Sequence, residues 1–330
     1  MPRIAQNRFV VVGGASLLGS NLARQLLDAH AAAVVLIDNL ALGSADAVQD
    51  LLSDSRCTLL RGDMTRLHEL LDPFKGAAGV FNVAGFLGGP MLANPWAGLD
   101  VNIRGLQNVL EAARVQGVQK VVFSSATGVY GRITEPPVEG MGFDWDSLPP
   151  ALVLYSGSKI VGEGLCRLYH QQHGLGYAAL RYANLYGEKQ HKRAIDGTRV
   201  VNAWDRVRSG LAPVIDGDGT QVTDFVYIGD AARANLMAME AEANGSYNIA
   251  SGRDVTFTQV IDAILKACGS DLKPEYRTDA ARVANPPAKR VGYSIEKARR
   301  ELGWQPEVQI EEGMHRLVAW LDSERARGAI

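Results

Sequence analysis

The chain has 330 residues, 34 basic and 36 acidic side chains, a net charge of −2 and 47% apolar residues. At roughly 100–200 residues per domain, this length makes two domains, or one large domain with a lobe, and the composition excludes a disordered or collagen-like chain. Charges of both signs are interspersed without a long basic run, so the electrostatic footprint of a nucleic-acid binder is missing.

Phe9–Val12 reads as a buried strand and Leu18–Ala29 as the helix after it. Further strands are predicted at Ala33–Asp38, Cys57–Leu60, Gly79–Val83, Lys120–Ser124 and Ala178–Arg181. Helical patterns occupy Pro95–Gln116 and Tyr155–His173. Continuous rather than alternating apolar strands, separated by helices, point to a parallel sheet covered on both faces, the doubly wound α/β pattern. After Gly187 the pattern weakens. Glu188–Arg193 is a polar loop, Thr198–Ser209 a helix, and Phe225–Ile228 with Gly229–Ala243 one more strand–helix unit. One helix follows Thr256 or Thr258 as N-cap through Ile264, and another follows Ser294 and stops at Gly303. Residues 1–188 with 222–245 are expected to form the dinucleotide-binding (Rossmann) domain, and 189–221 with 246–330 a smaller, mostly C-terminal lobe for substrate.

Three cysteines, Cys57, Cys166 and Cys268, make neither a disulfide framework nor a zinc knuckle. No apolar run reaches the roughly 18–20 residues that span a bilayer, and Met1–Arg8 carries no signal-peptide core. A cytoplasmic enzyme with no membrane and no nucleic-acid partner is expected.

Val12-Gly-Gly-Ala-Ser-Leu-Leu-Gly19 follows the first strand and opens the first helix. Glycines there let backbone N–H groups approach a pyrophosphate at the positive end of a helix. Asp38 closes the second strand, where a carboxylate accepts hydrogen bonds from an adenosine ribose and repels a 2′-phosphate, so NAD is preferred over NADP. The plainer role for Asp38 is a turn or N-cap residue. Tyr155 and Lys159, spaced i, i+4, lie on one helical face. A free phenol titrates at about pH 10, so acid–base work near neutrality needs about 4 kcal/mol of preferential phenolate stabilisation, part of which a lysine one turn away supplies.

Together the glycine turn with Asp38, Phe123-Ser-Ser-Ala-Thr-Gly-Val-Tyr-Gly131 and the Tyr155/Lys159 pair resemble the extended short-chain dehydrogenase/reductases, the NAD-dependent epimerase/dehydratase family. Val101–Glu111, Leu180–Gly187, Asp224–Asp230 and Lys297–Trp304 resemble it too, so the likeness covers almost the whole chain. It implies that Gly13, Ser16, Leu17, Leu18 and Gly19 cradle the pyrophosphate, and that Asp38 with Asn39 holds the ribose. Asp63 and Met64 would flank the adenine, and Val83, Ala84, Gly85, Ser124 and Tyr182 would line the cofactor. Asn102 would brace the site, Tyr155 would be the acid/base, Lys159 would hold the nicotinamide ribose, and Asn184 would contact a nucleotide sugar. Helices Pro95–Gln116 and Tyr155–His173 would form the four-helix bundle of a homodimer.

The chain departs from the family at three places. Ser16 replaces a glycine. Ala126 stands where the tyrosine's hydroxyl partner belongs, leaving Ser124, Ser125 or Thr127 to stand in. Thr223 stands where relatives often carry an arginine for the diphosphate, a charge threonine cannot replace; Arg282 and Arg290 lie near a second such arginine, and Lys189, Lys192 and Arg193 follow in the polar loop. Thr127 and Gly128 replace the Asp-Glu pair of sugar dehydratases, so dehydration is not expected. A nucleotide-sugar 4-epimerase is the leading reading. The rivals are an NAD-dependent dehydrogenase or reductase of a small non-nucleotide hydroxy compound and a non-catalytic NAD sensor, against which the Tyr155/Lys159 pair counts. His170 and His173 lack a third ligand, and no metal is expected. Arg61-Gly-Asp63 spells an adhesion tripeptide but follows a strand and reads as part of the adenine pocket, and most of the scattered tryptophans read as packing.

Overall fold

A computed structural model describes residues 1–131, 136–143, 148–190, 198–277 and 292–330. The sequence expectations on Lys192, Arg193, Arg282, Arg290 and Trp145 lie outside the described residues.

Seven parallel strands form the central sheet: β1 (Arg8–Val12), β2 (Ala33–Asp38), β3 (Cys57–Arg61), β4 (Gly79–Asn82), β5 (Lys120–Ala126), β6 (Gly176–Tyr182) and, after four short strands outside this sheet, β11 (Gly245–Ile249). Their order is β11-β6-β5-β4-β1-β2-β3, with every neighbouring pair parallel. Alternate residues feed two cores. Phe9, Val11, Leu36 and Phe81 pack on helices α1 (Leu17–Asp28) and α8 (Ile228–Glu240), through Leu22, Leu26, Ala231 and Ala238. Val10, Val12, Val35 and Val80 pack on the other face against α2 (Leu67–Phe74), α5 (Leu106–Val115) and α6 (Pro150–His173), through Leu70, Leu110 and Cys166. Burial on both faces is why these strands read as unbroken apolar runs. The chain reverses strand order between β1 and β4, which opens a crevice at the carboxyl ends of the strands.

Several local expectations changed. The Pro95–Gln116 segment is not one helix: after α3 (Gly88–Ala93) it consists of α4 (Pro95–Leu99), a π-helical turn over Asp100–Gly105, and α5. Phe225–Tyr227 (β10) does not join the main sheet but pairs with Asn184–Tyr186 (β7). The seventh strand is β11, hidden from sequence reading by Ser246 and Asn248. Those polar side chains are satisfied by distant partners: Ser246 Oγ donates to Glu163 at 2.6 Å and Tyr130 Oη donates to Asn248 at 2.6 Å.

On the C-terminal side, two-residue β9 (Val222–Thr223) pairs with β12 (Val255–Thr256), and β8 (Val214–Asp216) with β13 (Glu275–Arg277). Helix α7 (Thr198–Arg208) and helix α9 (Phe257–Cys268) lie here. Thr256, not Thr258, caps α9 in a capping box with Gln259. Among the described residues the following helix spans Glu296–Leu302 with Ile295, not Ser294, at its N-cap, and ends at left-handed Gly303. A further helix, Ile310–Ala326, packs Met314, Leu317 and Leu321 into the core and was not anticipated. Trp304 locks this side to α8: its indole N–H donates to Asp230 O at 2.9 Å. Trp204 and Trp304 are buried, but Trp96 is 86% exposed.

Candidate active site

The glycine turn is shaped by close backbone approach. Gly13 has φ +86°, and a Cβ there would lie 2.6 Å from Ala84 N; one on Gly19 would lie 2.2 Å from Gly13 O. Any larger residue would push β1, β4 and α1 apart. The strand ends are tied behind the turn: Gly13 N–H donates to Ile37 O at 2.8 Å, while Val83 and Ala84 N–H both donate to Val12 O at 2.9 Å.

Ser16, the departure from glycine, is accommodated by folding back. Its hydroxyl donates to Gly13 O at 2.7 Å and accepts from Gly19 N–H at 3.1 Å, so it caps α1 from within the turn. Leu17 and Leu18, in the first helical turn, line the crevice, and their N–H groups have no intrahelical acceptor. Asp38 is 8% exposed; one carboxylate oxygen accepts from Ala15 N–H at 2.9 Å and the other from Leu40 N–H at 2.8 Å. It is thus a turn residue as well as a ribose candidate, since each oxygen retains an accepting lone pair.

Farther along the strand ends, Asn39 donates to Asp63 at 3.3 Å, and Asp63 accepts from the Thr65 N–H and hydroxyl at 2.9 and 2.8 Å. Burial would push the Asp63 carboxyl up, but the Thr65 and Asn39 hydrogen bonds hold it below the usual carboxylate range. The Met64 side chain is buried against Gly105 beneath the π-helical turn.

A cavity of about 380 Å³ runs from Ser16–Leu18 past Val83 and Gly85 to the end of β5, Tyr155, Lys159, Tyr182 and Asn184. Lys159, 6% exposed, donates to Ser124 O at 2.9 Å, and its ammonium lies 5.8 Å from the Tyr155 ring centre. Burial pushes the Lys159 ammonium down to about 8. The π-helical turn aims Asn102, whose side chain accepts from Phe86 N–H at 2.7 Å and donates to Phe86 O at 3.1 Å and Ser158 Oγ at 3.0 Å. Asn102 is therefore a brace between the loop after β4 and the helix turn carrying Lys159. Tyr182 accepts from Asn235 at 2.7 Å, and burial pushes its phenol well above the usual tyrosine range, so it stays neutral.

The three hydroxyls near Ala126 differ in direction. Ser125 donates to Glu163 at 2.6 Å, on the α6 side of the strand. Ser124, on the opposite face, lies against the Tyr182 hydroxyl. Thr127 lies in the short 3₁₀ turn after β5 and, like Ser124 and Ser125, belongs to the cavity wall that includes Tyr155. Glu163, one turn beyond Lys159, was not foreseen; the i, i+4 spacing from Lys159 was the available signal. It accepts from Ser125, from Arg181 at 2.8 and 2.7 Å, and from Ser246, tying β5, β6 and β11 to α6. Burial alone would push the Glu163 carboxyl up, but Arg181 and the two serines hold it below the usual glutamate range.

At the lobe end, Asn184 donates to Thr223 Oγ1 at 2.7 Å and to Asp224 O at 3.0 Å, leaving its carbonyl oxygen for the cavity. Thr223 thus holds Asn184 rather than lining the cavity. Among the described residues no cluster fit to hold a metal is present; His170 Nδ1 meets Leu175 O at 3.1 Å.

A strand-end crevice with a glycine-lined helix start, a half-buried Tyr155 and a buried Lys159 defines a dinucleotide-dependent α/β enzyme. The NAD dependent epimerase/dehydratase family matches residues 9–250, and the chain belongs to that family. A Methanocaldococcus jannaschii protein provisionally named UDP-glucose 4-epimerase is 33% identical over 94% of this chain and 97% of its own. The UDP-N-acetylglucosamine 4-epimerase of Methanobrevibacter ruminantium, solved with UDP-N-acetylmuramic acid, superposes with a TM-score of 0.87 at 27% identity, covering 97% of this chain and 99% of its own. The Thermus thermophilus UDP-glucose 4-epimerase, solved with NAD, gives 0.81 at 29% identity over 98% and 100%. The protein is an NAD-dependent enzyme, and the glycine cradle, the open helix start and Asp38 fit that cofactor.

Proposed function

We propose that the chain is a nucleotide-sugar 4-epimerase, inverting one carbon of the sugar of a nucleoside diphosphate sugar. NAD, when bound, supplies the redox chemistry by taking a hydride from a hydroxyl-bearing carbon and returning it. The chain's residues handle the proton and the orientation. Tyr155 removes the proton of the reacting hydroxyl and gives it back, its phenolate favoured by the Lys159 ammonium one turn away. Thr127 donates the hydrogen bond that serines supply at the Ala126 position in relatives. Asn102 keeps Lys159 and the Gly85 loop in register, and Asn184 accepts from the substrate. The observation that carries this reading is a single cavity joining the glycine turn to the Tyr155/Lys159 face and Asn184.

Residues 189–221 and 246–330, apart from β11, act as the substrate lobe. Leu154, Val161 and Leu168 recur every seven residues along α6 and are exposed, as is Trp96 on α4; this stripe supports a homodimer through the α5/α6 face. Among the described residues no helix is long and apolar enough to cross a membrane, and the three cysteines are unpaired; both support a place in the cytoplasm.

Incubating the purified protein with NAD and UDP-, GDP- or dTDP-sugars should yield the C4 epimer with no net NADH. Tyr155→Phe should lower turnover by about 10²–10⁴-fold while leaving NAD affinity within twofold. No epimerisation of any nucleotide sugar by NAD-loaded wild type would sink the reading. The second reading, a net dehydrogenase of a small hydroxy compound, draws on Thr223, which brings no cation to the lobe end. It predicts stoichiometric NADH without any nucleotide in the substrate.

A further inference from the structure

We infer that Lys189 captures a nucleoside diphosphate at the mouth of the crevice, with Asp50 as its resting partner. Lys189 forms part of the cavity wall beside Ser16, Leu17 and Leu18. Its backbone sits at φ +71°, a left-handed conformation strained for a residue with a Cβ, and such strain persists only where neighbours enforce it. The neighbours are on the page. Asn21 of α1 donates to Glu188 O at 3.1 Å, and the Tyr227 hydroxyl meets both Glu188 carboxylate oxygens at 2.9 and 2.7 Å. Gln190, 1% exposed, accepts from Gly187 N–H at 3.3 Å. Anchored on both sides, the lysine is fixed in aim although it stands in a polar loop.

Charge gives the ligand class. The Asp50 carboxylate is shared by two cations, Lys189 at 3.2 Å and Arg24. Asp50 is thus divided between them, the neighbouring Glu188 carboxylate is taken by the Tyr227 hydroxyl, and Lys189 lies on the wall of the cavity that Leu17 and Leu18 of the first α1 turn also line. A lysine and a helix start on one crevice suit two linked phosphoryl groups better than a single carboxylate. Asp50 is about half exposed, so it regains water when the ammonium turns away, and Lys189 is one-fifth exposed with a four-carbon stem to make that turn. The diphosphate belongs either to the cofactor or to a sugar nucleotide; ADP and UDP tell the two apart. The inference rests on the crevice being the NAD site and not on the epimerase reading.

Calorimetric titration of wild type, Lys189→Met, Lys189→Arg and Asp50→Asn with adenosine, ADP, NAD and UDP tests it. Lys189→Met should weaken ADP and NAD about tenfold, leave adenosine within twofold, and flatten the salt dependence of ADP binding. Lys189→Arg should restore most of the loss, and Asp50→Asn should tighten ADP several-fold by releasing the lysine. A loss confined to UDP supports the same role on the substrate's diphosphate. Unchanged binding of both diphosphates by Lys189→Met overturns the inference alone, as does an equal loss for adenosine, which marks a collapsed crevice. A wild type that binds neither diphosphate overturns both this role and the cofactor site.

Discussion

The two ends of the crevice are built by different means. At the cofactor end the surfaces are backbone: Gly13, Gly14 and Gly19 let β1, β2, β4 and α1 approach to distances at which a Cβ would clash. At the lobe end the surfaces are side chains held by residues far away in the chain, as Asn184 is by Thr223 and Asp224, and Asp224 by Ser251 and Gly252 N–H at 2.7 and 3.0 Å. Backbone geometry tolerates no substitution at a few points and nearly any elsewhere. A side-chain lattice tolerates exchange of one member when another compensates. The glycine turn can therefore stay fixed while side chains at the lobe end exchange, since Thr223 lies outside the seven-stranded sheet.

The contrast is broken most severely at Gly13. Gly13→Val places a Cβ against Ala84 in a left-handed conformation, and calorimetry should show at least about a 100-fold loss of NAD affinity. Retained affinity would mean that the turn does not carry the pyrophosphate. Next in size, Thr127→Val should lower kcat about 10–100-fold without changing NAD affinity. Ser125→Ala should leave kcat within about threefold and instead reduce stability by about 1–3 kcal/mol in urea unfolding, because Glu163 loses a buried donor. The reverse pattern would move the hydroxyl role to Ser125.

The last effect lies far from the crevice and falls on stability rather than on turnover. Lys120 is fully buried, donates to Ala241 O at 2.6 Å and Ala243 O at 3.1 Å, and burial pushes its ammonium down to about 8. Between that value and the ordinary lysine range the unfolded chain binds more protons, so this residue makes stability rise with pH across the window. Lys120→Met should remove a slope worth on the order of 2–3 kcal/mol, measured as the difference between wild-type and variant unfolding at pH 7.5 and 10.5. Parallel curves would show that Lys120 titrates alike in the folded and unfolded chain.

Much of the cofactor end was legible because its logic is local. A strand, three glycines and a helix start stand consecutively, and the i, i+4 spacing of Tyr155 and Lys159 fixes their common face. Ser16 shows the limit of that legibility: its hydroxyl had to turn away, but only the folded turn shows it capping α1 and bonding Gly13 O. β11 escaped notice because Ser246 and Asn248 break the apolar run, and their partners, Glu163 and Tyr130, lie on other elements. The Ile310–Ala326 helix and the π-helical turn at Asn102 escaped for a related reason: packing, not propensity, sets them.

The residues in order were enough to determine the doubly wound sheet, the glycine turn between its first strand and helix, and the common face of Tyr155 and Lys159, since each follows from residues close together in the chain. Tertiary structure alone decided what Ser125 and Thr223 hold, where the seventh strand runs and that Lys189 answers Asp50. Each of those depends on polar groups brought together from distant stretches, and a buried donor or acceptor takes whichever partner the packed neighbours leave within reach.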